Sequence, residues 1–567
     1  MGRDDAGALE RVEEMLGGQR HRGPDGSGVL HDGDTVIGHC RLAILGLGDA
    51  GRQPMTSRDG RWSMVFNGEI FNYLELRAEL PGEFHSKTDT EVLLEGIAVW
   101  GLEGALTRAA GMFAFGLWDH DEKELTLVRD RLGEKPLVYF CDGQILAFAS
   151  EMKALREFHS GNLEPLAVDA YLALGYIPAP LAIFRGCHKL EPGHMLRVKR
   201  GSEPRVASWW HPKPTKISPD GVLDRRASLR EQMAEAVRQR LRADVPVALS
   251  LSGGVDSSVI AAECVSQGAS IEAFTVRLPG ESGDVDAARV VARHLKLRHQ
   301  VLEARGGGIA QEVERIWRHY DEPFADSSAI PSLALARALA GRYKVILNGD
   351  GGDEVFGGYR HYEHIHIKQT LKAAAAAVGL CDGGQAGRAS VYVQSKATFR
   401  AAARSRFLNG HATGNSLDGL VFHAPLRGAL QNAQWIDRHL ALANGLNYKT
   451  DTANGAFGIE GRAPFLDRRL GEWAEGLRPE ELVRGREKKI LLRAAYAGDL
   501  PADVLNRPKQ GFGAPIGQWL RGPLRELAGD MLPCPLLDRE LQNRRSGQQL
   551  WTLLMFAQWA REWRASW

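Results

Sequence analysis

The sequence predicts a two-domain protein, β-rich at first and then α/β turning to α, and three observations predict it. At 567 residues the chain is too long for one hydrophobic core. Up to about residue 200 the apolar residues come in short runs bounded by glycine turns: TVIGHCRLAIL, WSMVFNGEI, MFAFGLWD, ELTLVRD, LVYF and ILAFAS. Beyond the proline-bearing segment Trp209 to Gly221, helical stretches alternate with the apolar strands VALSL, EAFTV and KVILN, which is the pattern of a parallel sheet covered by helices. The boundaries that follow are a first domain over 1–205, a linker over 206–224 and a second domain over 225–567.

Two helices interrupt the strands of the first part, over Leu74 to Leu80 and over Asp89 to Trp100. An Asp and Thr cap opens the second, with Glu91 behind. In the second part VPVALSL places Val247, Leu249 and Leu251 on one face of a half-buried strand, and VIAAECV reads as a helix. Between them lies SGGVDSS, Ser252 to Ser258. A strand that empties through two glycines into a helix start aims unpaired N–H groups at one spot, where the helix dipole also favours negative charge. The loop is therefore an anion cradle. No Lys follows the glycines, so it is not the phosphate loop of kinases and GTPases. Asp256 and the hydroxyls of Ser252, Ser257 and Ser258 suit a magnesium-bound pyrophosphate. After KVILN comes a second glycine-rich turn, Gly349 to Tyr359, carrying Asp350, Asp353 and Glu354. Ligands of open parallel sheets sit beyond the carboxyl ends of neighbouring strands, so Mg²⁺ is expected to bridge these carboxylates to ATP. The tracts KAAAAAVGL (Lys372 to Leu380) and CDGGQAGRAS carry no assigned chemistry, and Trp551, Trp559, Trp563 and Trp567 read as core or helix-packing residues.

Composition excludes several classes. Hydrophobic residues make up 44% and charged residues 25%, as in ordinary soluble proteins. Acids and bases nearly cancel, at 70 against 71, so no global charge asks for nucleic acid or membrane as a partner. Cys40, Cys141, Cys187, Cys264, Cys381 and Cys534 are scattered without metal-ligand spacing, which fits a reduced, cytoplasmic chain. The polar start is no signal peptide, and no apolar run is long enough to span a membrane.

SGGVDSS resembles the pyrophosphate loop of the N-type ATP pyrophosphatases, which cleave ATP between the α- and β-phosphates. With DEPFADSSAIP, NGDGGDEVFGGY, GIEGRAPFLD and REKKILLRAA after it, and HRGPDGSG, GHCRLAIL, FNGEIFNYLELR, KTDTEVLLEG, GMFAFGLWD and RDRLGEKPLVY before it, the whole chain resembles the glutamine-hydrolysing asparagine synthetase family. The resemblance implies an N-terminal class II glutaminase domain built as an α/β/β/α sandwich of the Ntn type. It also implies a C-terminal parallel-sheet ATP pyrophosphatase domain with added helices, joined to the first by an internal ammonia tunnel, and a homodimer. In the second domain it implies that Ser250, Val276, Asn348 and Gly349 hold the adenosine part of ATP and that Ser252, Gly253, Gly254, Asp256, Ser257 and Ser258 hold the pyrophosphate. Asp256 and Asp353 would bind Mg²⁺, and Lys488 would face the charge that develops when aspartate forms β-aspartyl-AMP, with Lys489 the adjacent alternative. The resemblance also implies a catalytic role for Asp350, at the position where the family commonly has a Glu associated with forming the acyl-adenylate; Asp is one methylene shorter, and this keeps other acceptors open, as in cell-envelope polysaccharide or β-lactam-type chemistry.

In the first domain the resemblance implies a glutamine pocket. Arg41 would take the α-carboxylate, flanked by Leu42 and Ile44; Asn67 and Gly68 would stabilise the oxyanion, Glu69 follows them, and Asp89 would take the α-ammonium. The family's nucleophile is an N-terminal Cys in MCGIAG, whose own amine is the base. This chain has no cysteine before Cys40, which lies within a strand and reads as structural. The expectation is a start further upstream, leaving a sheet of this domain short by one strand; use of free ammonia, or a binding module without catalysis, are the alternatives.

Overall fold

The computed structural model describes residues 5–211, 222–278, 283–303, 308–367, 395–409, 428–508, 514–531 and 547–566. The predicted linker from residue 212 to 221, both tracts between 372 and 390, Cys381, Cys534 and Trp567 lie outside them.

The first part is layered. Its strands are β1 (Gly26–Asp32), β2 (Thr35–Arg41), β3 (Met55–Thr56), β4 (Trp62–Ile70), β5 (Gly111–Asp119), β6 (Glu124–Arg129), β7 (Val138–Cys141), β8 (Leu146–Ala149), β9 (Cys187–Lys189), β10 (His194–Lys199) and β11 (Arg205–Ser208). Six of them form an antiparallel sheet in the order β11-β10-β6-β5-β4-β3. The period of two along β4 separates two cores. Met64 and Phe66 share one with Val92, Ile97 and Leu106 of the helix Asp89–Arg108. Val65 points the other way and shares the second with Ile37 of β2, Leu137 and Leu146. The second layer is thus made by the ribbon β1-β2 and the sheet β8-β7-β9. On β2, Gly38 leaves room for Val12 and Leu16 of the helix Asp5–Gln19, which closes the stack as an outer layer. Helices, sheet, sheet and helix succeed one another, the α/β/β/α order that the resemblance implies. No described strand pairs with the second edge of β2 or of β8, and both edges line one cavity.

The helix forecast from Leu74 runs over Tyr73–Glu79, and the one forecast to end at Trp100 continues to Arg108 across a kink at Gly101. Thr88 caps it by accepting from the Glu91 N–H.

The second part is a five-stranded sheet, β14-β13-β12-β15-β16, parallel throughout: β12 (Val247–Ser250), β13 (Glu272–Arg277), β14 (Arg298–Glu303), β15 (Val345–Leu347) and β16 (Glu460–Arg462). β14 and β16 were not read from the sequence. Val247 and Leu249 share a core with Leu229, Val259 and Val291 on one face. Ala248 shares another with Ile316, Leu333 and Leu339 on the other. The strand forecast as half-buried is therefore buried on both sides, as parallel strands under two helix layers are. The final helix Gly547–Trp563 buries Trp551 and Trp559, whose indole N–H groups donate to the carbonyls of Ala325 and Asp321, each at 3.1 Å. These tryptophans are core residues that also tie down the loop carrying Asp326 and Ser328. No described helix is long and apolar enough to cross a membrane.

Candidate active site

β12 and β15 are neighbours, so the loops leaving their carboxyl ends lie side by side. Gly352 sits so close that a Cβ there would stand 2.6 Å from the Asp256 carboxylate, which explains why the second loop is glycine-rich at this point. Asp256 lies in the first turn of the helix Val255–Ser266, where the leading N–H groups have no intrahelical acceptor. Ser252 Oγ reaches Ser257 Oγ at 3.1 Å and accepts from the Gly254 N–H at 3.3 Å, which fixes the turn.

One side chain dominates this site. Lys489 Nζ lies 2.5 Å from both Asp256 carboxylate oxygens and 2.7 Å from Asp353 Oδ1, with its side chain 7% exposed. Burial alone would push its ammonium down, but the two carboxylates outweigh that and hold it above the ordinary lysine range. Lys488, favoured from the sequence, points elsewhere and donates to Glu363 at 3.4 Å. The reason is local. Lys488 belongs to a hairpin in which it pairs with Val483, and Lys489 then turns through a left-handed φ of 55° into the helix Ile490–Ala495. Both amines border a cavity of about 450 Å³ that Ser250, Ser252, Gly254, Asp256, Ser257, Asn348, Gly349, Asp350 and Asp353 also line. Asp350 accepts from the Thr450 hydroxyl at 2.7 Å. Gly253, Ser258 and Val276 do not line it. The hydroxyls of Ser258 and Ser257 both turn back to the Gly254 carbonyl, at 2.7 and 3.2 Å, the usual bond of a serine inside a helix, but of the two only Ser257 borders the cavity.

The second cavity, about 240 Å³, collects the whole expected glutamine set: Arg41, Leu42, Ile44, Asn67, Gly68, Glu69 and Asp89. Gly68 is required there, since a Cβ would come 2.1 Å from the Met112 carbonyl oxygen of β5. Arg41 spends its donors on the carbonyls of Gly48 (2.8 Å) and Gly46 (2.5 Å), which fixes the guanidinium without neutralising it. Asn67 Nδ2 donates to Ser150 Oγ at 3.3 Å. Burial pushes the Asp89 carboxyl up to about 6, although it accepts from the Ile70 N–H at 2.8 Å. Glu69 faces another partner, Arg462 of β16, at 2.8 Å. Cys40 donates its thiol to the Leu16 carbonyl at 3.4 Å, and burial raises its pKa, the state of a structural cysteine rather than a nucleophile.

Two features escaped the sequence reading. Arg462, fully buried, bonds Glu69 and Glu460 at 2.8 Å each and donates to the carbonyls of Arg240 and Arg242, so it pins the parallel sheet to the smaller cavity. The helix Asn447–Gly455 separates the two cavities: Asp451 and Gly455 line the smaller, Lys449, Thr450 and Asn454 the larger. Asp451 holds Arg22 at 2.6 Å, and Arg22 in turn holds Glu151 at 3.0 Å. The stretches HRGPDGSG and GIEGRAPFLD contain Arg22 and Arg462, yet nothing in their spacing announces these partners.

Two known families match this chain, one in each part. The family described as glutamine amidotransferase domain matches residues 2–210, and the one described as asparagine synthase matches residues 228–561. Asparagine synthetase [glutamine-hydrolyzing] 1 of Bacillus subtilis is 28% identical over 594 aligned positions, covering 97% of this chain and 93% of its own length. A Mycobacterium bovis protein provisionally named a glutamine-hydrolysing asparagine synthetase is 31% identical, covering 98% of this chain and 94% of its own length. A Gibberella zeae protein named an amidase is 26% identical over 92% of this chain and 88% of its own.

Proposed function

Because this chain belongs to the glutamine-hydrolysing asparagine synthetase family, we propose that its larger cavity adenylates the β-carboxylate of aspartate. One observation carries the reading: two carboxylates from neighbouring strand ends, Asp256 and Asp353, converge on a single cation position at a helix start. That donor set fits Mg²⁺, since a pair of hard oxygens leaves room for phosphate and water as the remaining ligands. Asp256 and Asp353 would hold the ion, and when bound it supplies neutralisation of the phosphate oxygens.

The protein's own residues then do the following. The N–H groups at the start of Val255–Ser266, with Ser252 and Ser257, receive the β- and γ-phosphates. A carboxylate oxygen of the acceptor attacks the α-phosphorus, the bond to the bridging oxygen breaks, and its electron pair leaves with pyrophosphate. Lys489, rather than Lys488, faces the developing charge. In the second step ammonia attacks the acyl carbon, AMP leaves with the electron pair of the broken C–O bond, and one proton passes from nitrogen to solvent. Glutamine sits in the smaller cavity with its α-carboxylate on Arg41 and its α-ammonium on Asp89. The amide oxygen faces Asn67 and Gly68.

The test is an incubation with ATP, Mg²⁺, ammonium and aspartate. Pyrophosphate, AMP and asparagine are expected in equal amounts. Release of pyrophosphate with other carboxylates but not with aspartate would overturn the acceptor and favour the second reading, an amidotransferase of another carboxylate. That reading draws support from the shorter Asp350 and the amidase relative.

A further inference from the structure

Lys449 is a charge that the reaction above leaves unused. Its residue is 7% exposed, and it borders the larger cavity. The other deeply buried lysines meet carboxylates directly: Lys135 has Asp451 at 3.4 Å and Glu460 at 3.7 Å, and Lys489 has Asp256 and Asp353. Lys449 Nζ instead donates to the Ser328 hydroxyl at 3.1 Å, and among the described residues no carboxylate pairs with it. The Ser328 hydroxyl donates to Asp326 Oδ1 at 2.7 Å, so it offers the ammonium a lone pair and nothing more. Two of the three ammonium hydrogens therefore have no described acceptor. A buried ammonium satisfied by one neutral oxygen is costly unless an anion completes it.

The neighbourhood says which anion. The phosphates of ATP have their own receivers in the Ser252–Ser258 loop and Lys489, while Lys449 lies on the helix Asn447–Gly455, the wall shared with the glutamine cavity. Its neighbour Thr450 holds Asp350, so one turn of that helix connects the second acidic loop to a free cation. A molecule that must lie between the phosphate loop and the source of nitrogen is the acceptor.

We propose that Lys449, with the Ser328 hydroxyl beside it, anchors the carboxylate of the acceptor that is not adenylated, and so makes the site selective for acceptors bearing two carboxylates. This rests on the adenylation reading above. The trapped ammonium points one or two hydrogen bonds at that carboxylate, and Ser328 keeps the lysine extended toward the cavity.

The experiment uses the full chain with ATP, Mg²⁺ and ammonium, and two probes: aspartate, and β-alanine, which is aspartate without its α-carboxylate. Lys449→Met is expected to raise the KM for aspartate by about tenfold or more, to leave the KM for ATP within about twofold, and to narrow the preference for aspartate over β-alanine by a similar factor. Lys449→Arg, which keeps the charge, is expected to recover most of the preference, and it serves as the folded comparator should the Met variant fail to fold. An unchanged KM for aspartate in Lys449→Met, or a rise confined to the KM for ATP, would overturn the anchor while leaving adenylation intact. A wild type that releases no pyrophosphate with aspartate sinks the aspartate reading itself. The anchor is then judged on the acceptors that are turned over, and exclusive use of monocarboxylates overturns it.

Discussion

The two cavities neutralise buried acid in opposite ways. In the larger, Asp256 and Asp353 meet one ammonium on a separate segment, and that ammonium has no described acceptor besides these two carboxylates. Around the smaller, Glu69, Glu460, Asp451 and Glu151 are locked among Arg462, Lys135 and Arg22, each making several bonds at once. A single ammonium on a cavity wall can be exchanged for another cation; a guanidinium held by four acceptors cannot. The first arrangement borders a cavity, and the second ties two parts of the molecule together.

The difference can be broken from either side. Asp256→Ala is expected to abolish pyrophosphate release. Lys489→Met should lower it by about 100- to 1,000-fold, because a cation aimed at developing charge is lost, while Lys488→Met stays within about threefold of wild type. A steady-state pyrophosphate assay ranks the three, and the opposite order of the two lysines would return the role to Lys488. Arg462→Met should cost about 3–5 kcal/mol of stability, since it leaves Glu69 buried without its cation and Glu460 with Lys135 alone at 3.7 Å. Denaturant unfolding measures it, and a loss no larger than that of Lys489→Met would erase the distinction between exchangeable and structural cations. The smallest effect concerns pH. Burial raises Asp89 to about 6, so the carboxyl is mostly neutral below that value and charged above it. Folding itself gains from the raised value at low pH and loses that gain as pH rises toward 6, whereas glutamine's ammonium needs the charged form. Glutamine affinity, read by calorimetry, should therefore fall by about tenfold between pH 7 and pH 5, and Asp89→Asn should flatten that dependence.

The larger site was legible wherever its parts are local. A strand, two glycines and a helix start occupy one short run, and the backbone physics of that run needs no distant partner. The choice between Lys488 and Lys489 was not legible, because it depends on a hairpin register and a left-handed residue that adjacent lysines do not reveal. Ser258 is set back from the cavity that Ser257 borders, a difference that adjacent hydroxyls in a sequence do not reveal. Arg462 stood in a recognised stretch, yet its partner Glu69 on β4 is 393 residues away, and only the folded chain brings them together. The layered order of the first part came from the family resemblance alone, and β14 and β16 carry too little apolar contrast to be read as strands.

The helix between the cavities has a consequence for how this sequence can change over time. At about 100° per residue, one inserted or deleted residue within Asn447–Gly455 would swing Asp451 off Arg22 and carry Lys449 out of the opposite chamber in the same stroke. Substitutions there can be compensated one partner at a time. A change of length cannot, because both chambers read the same helical phase, so this short segment is fixed in length more strictly than in identity.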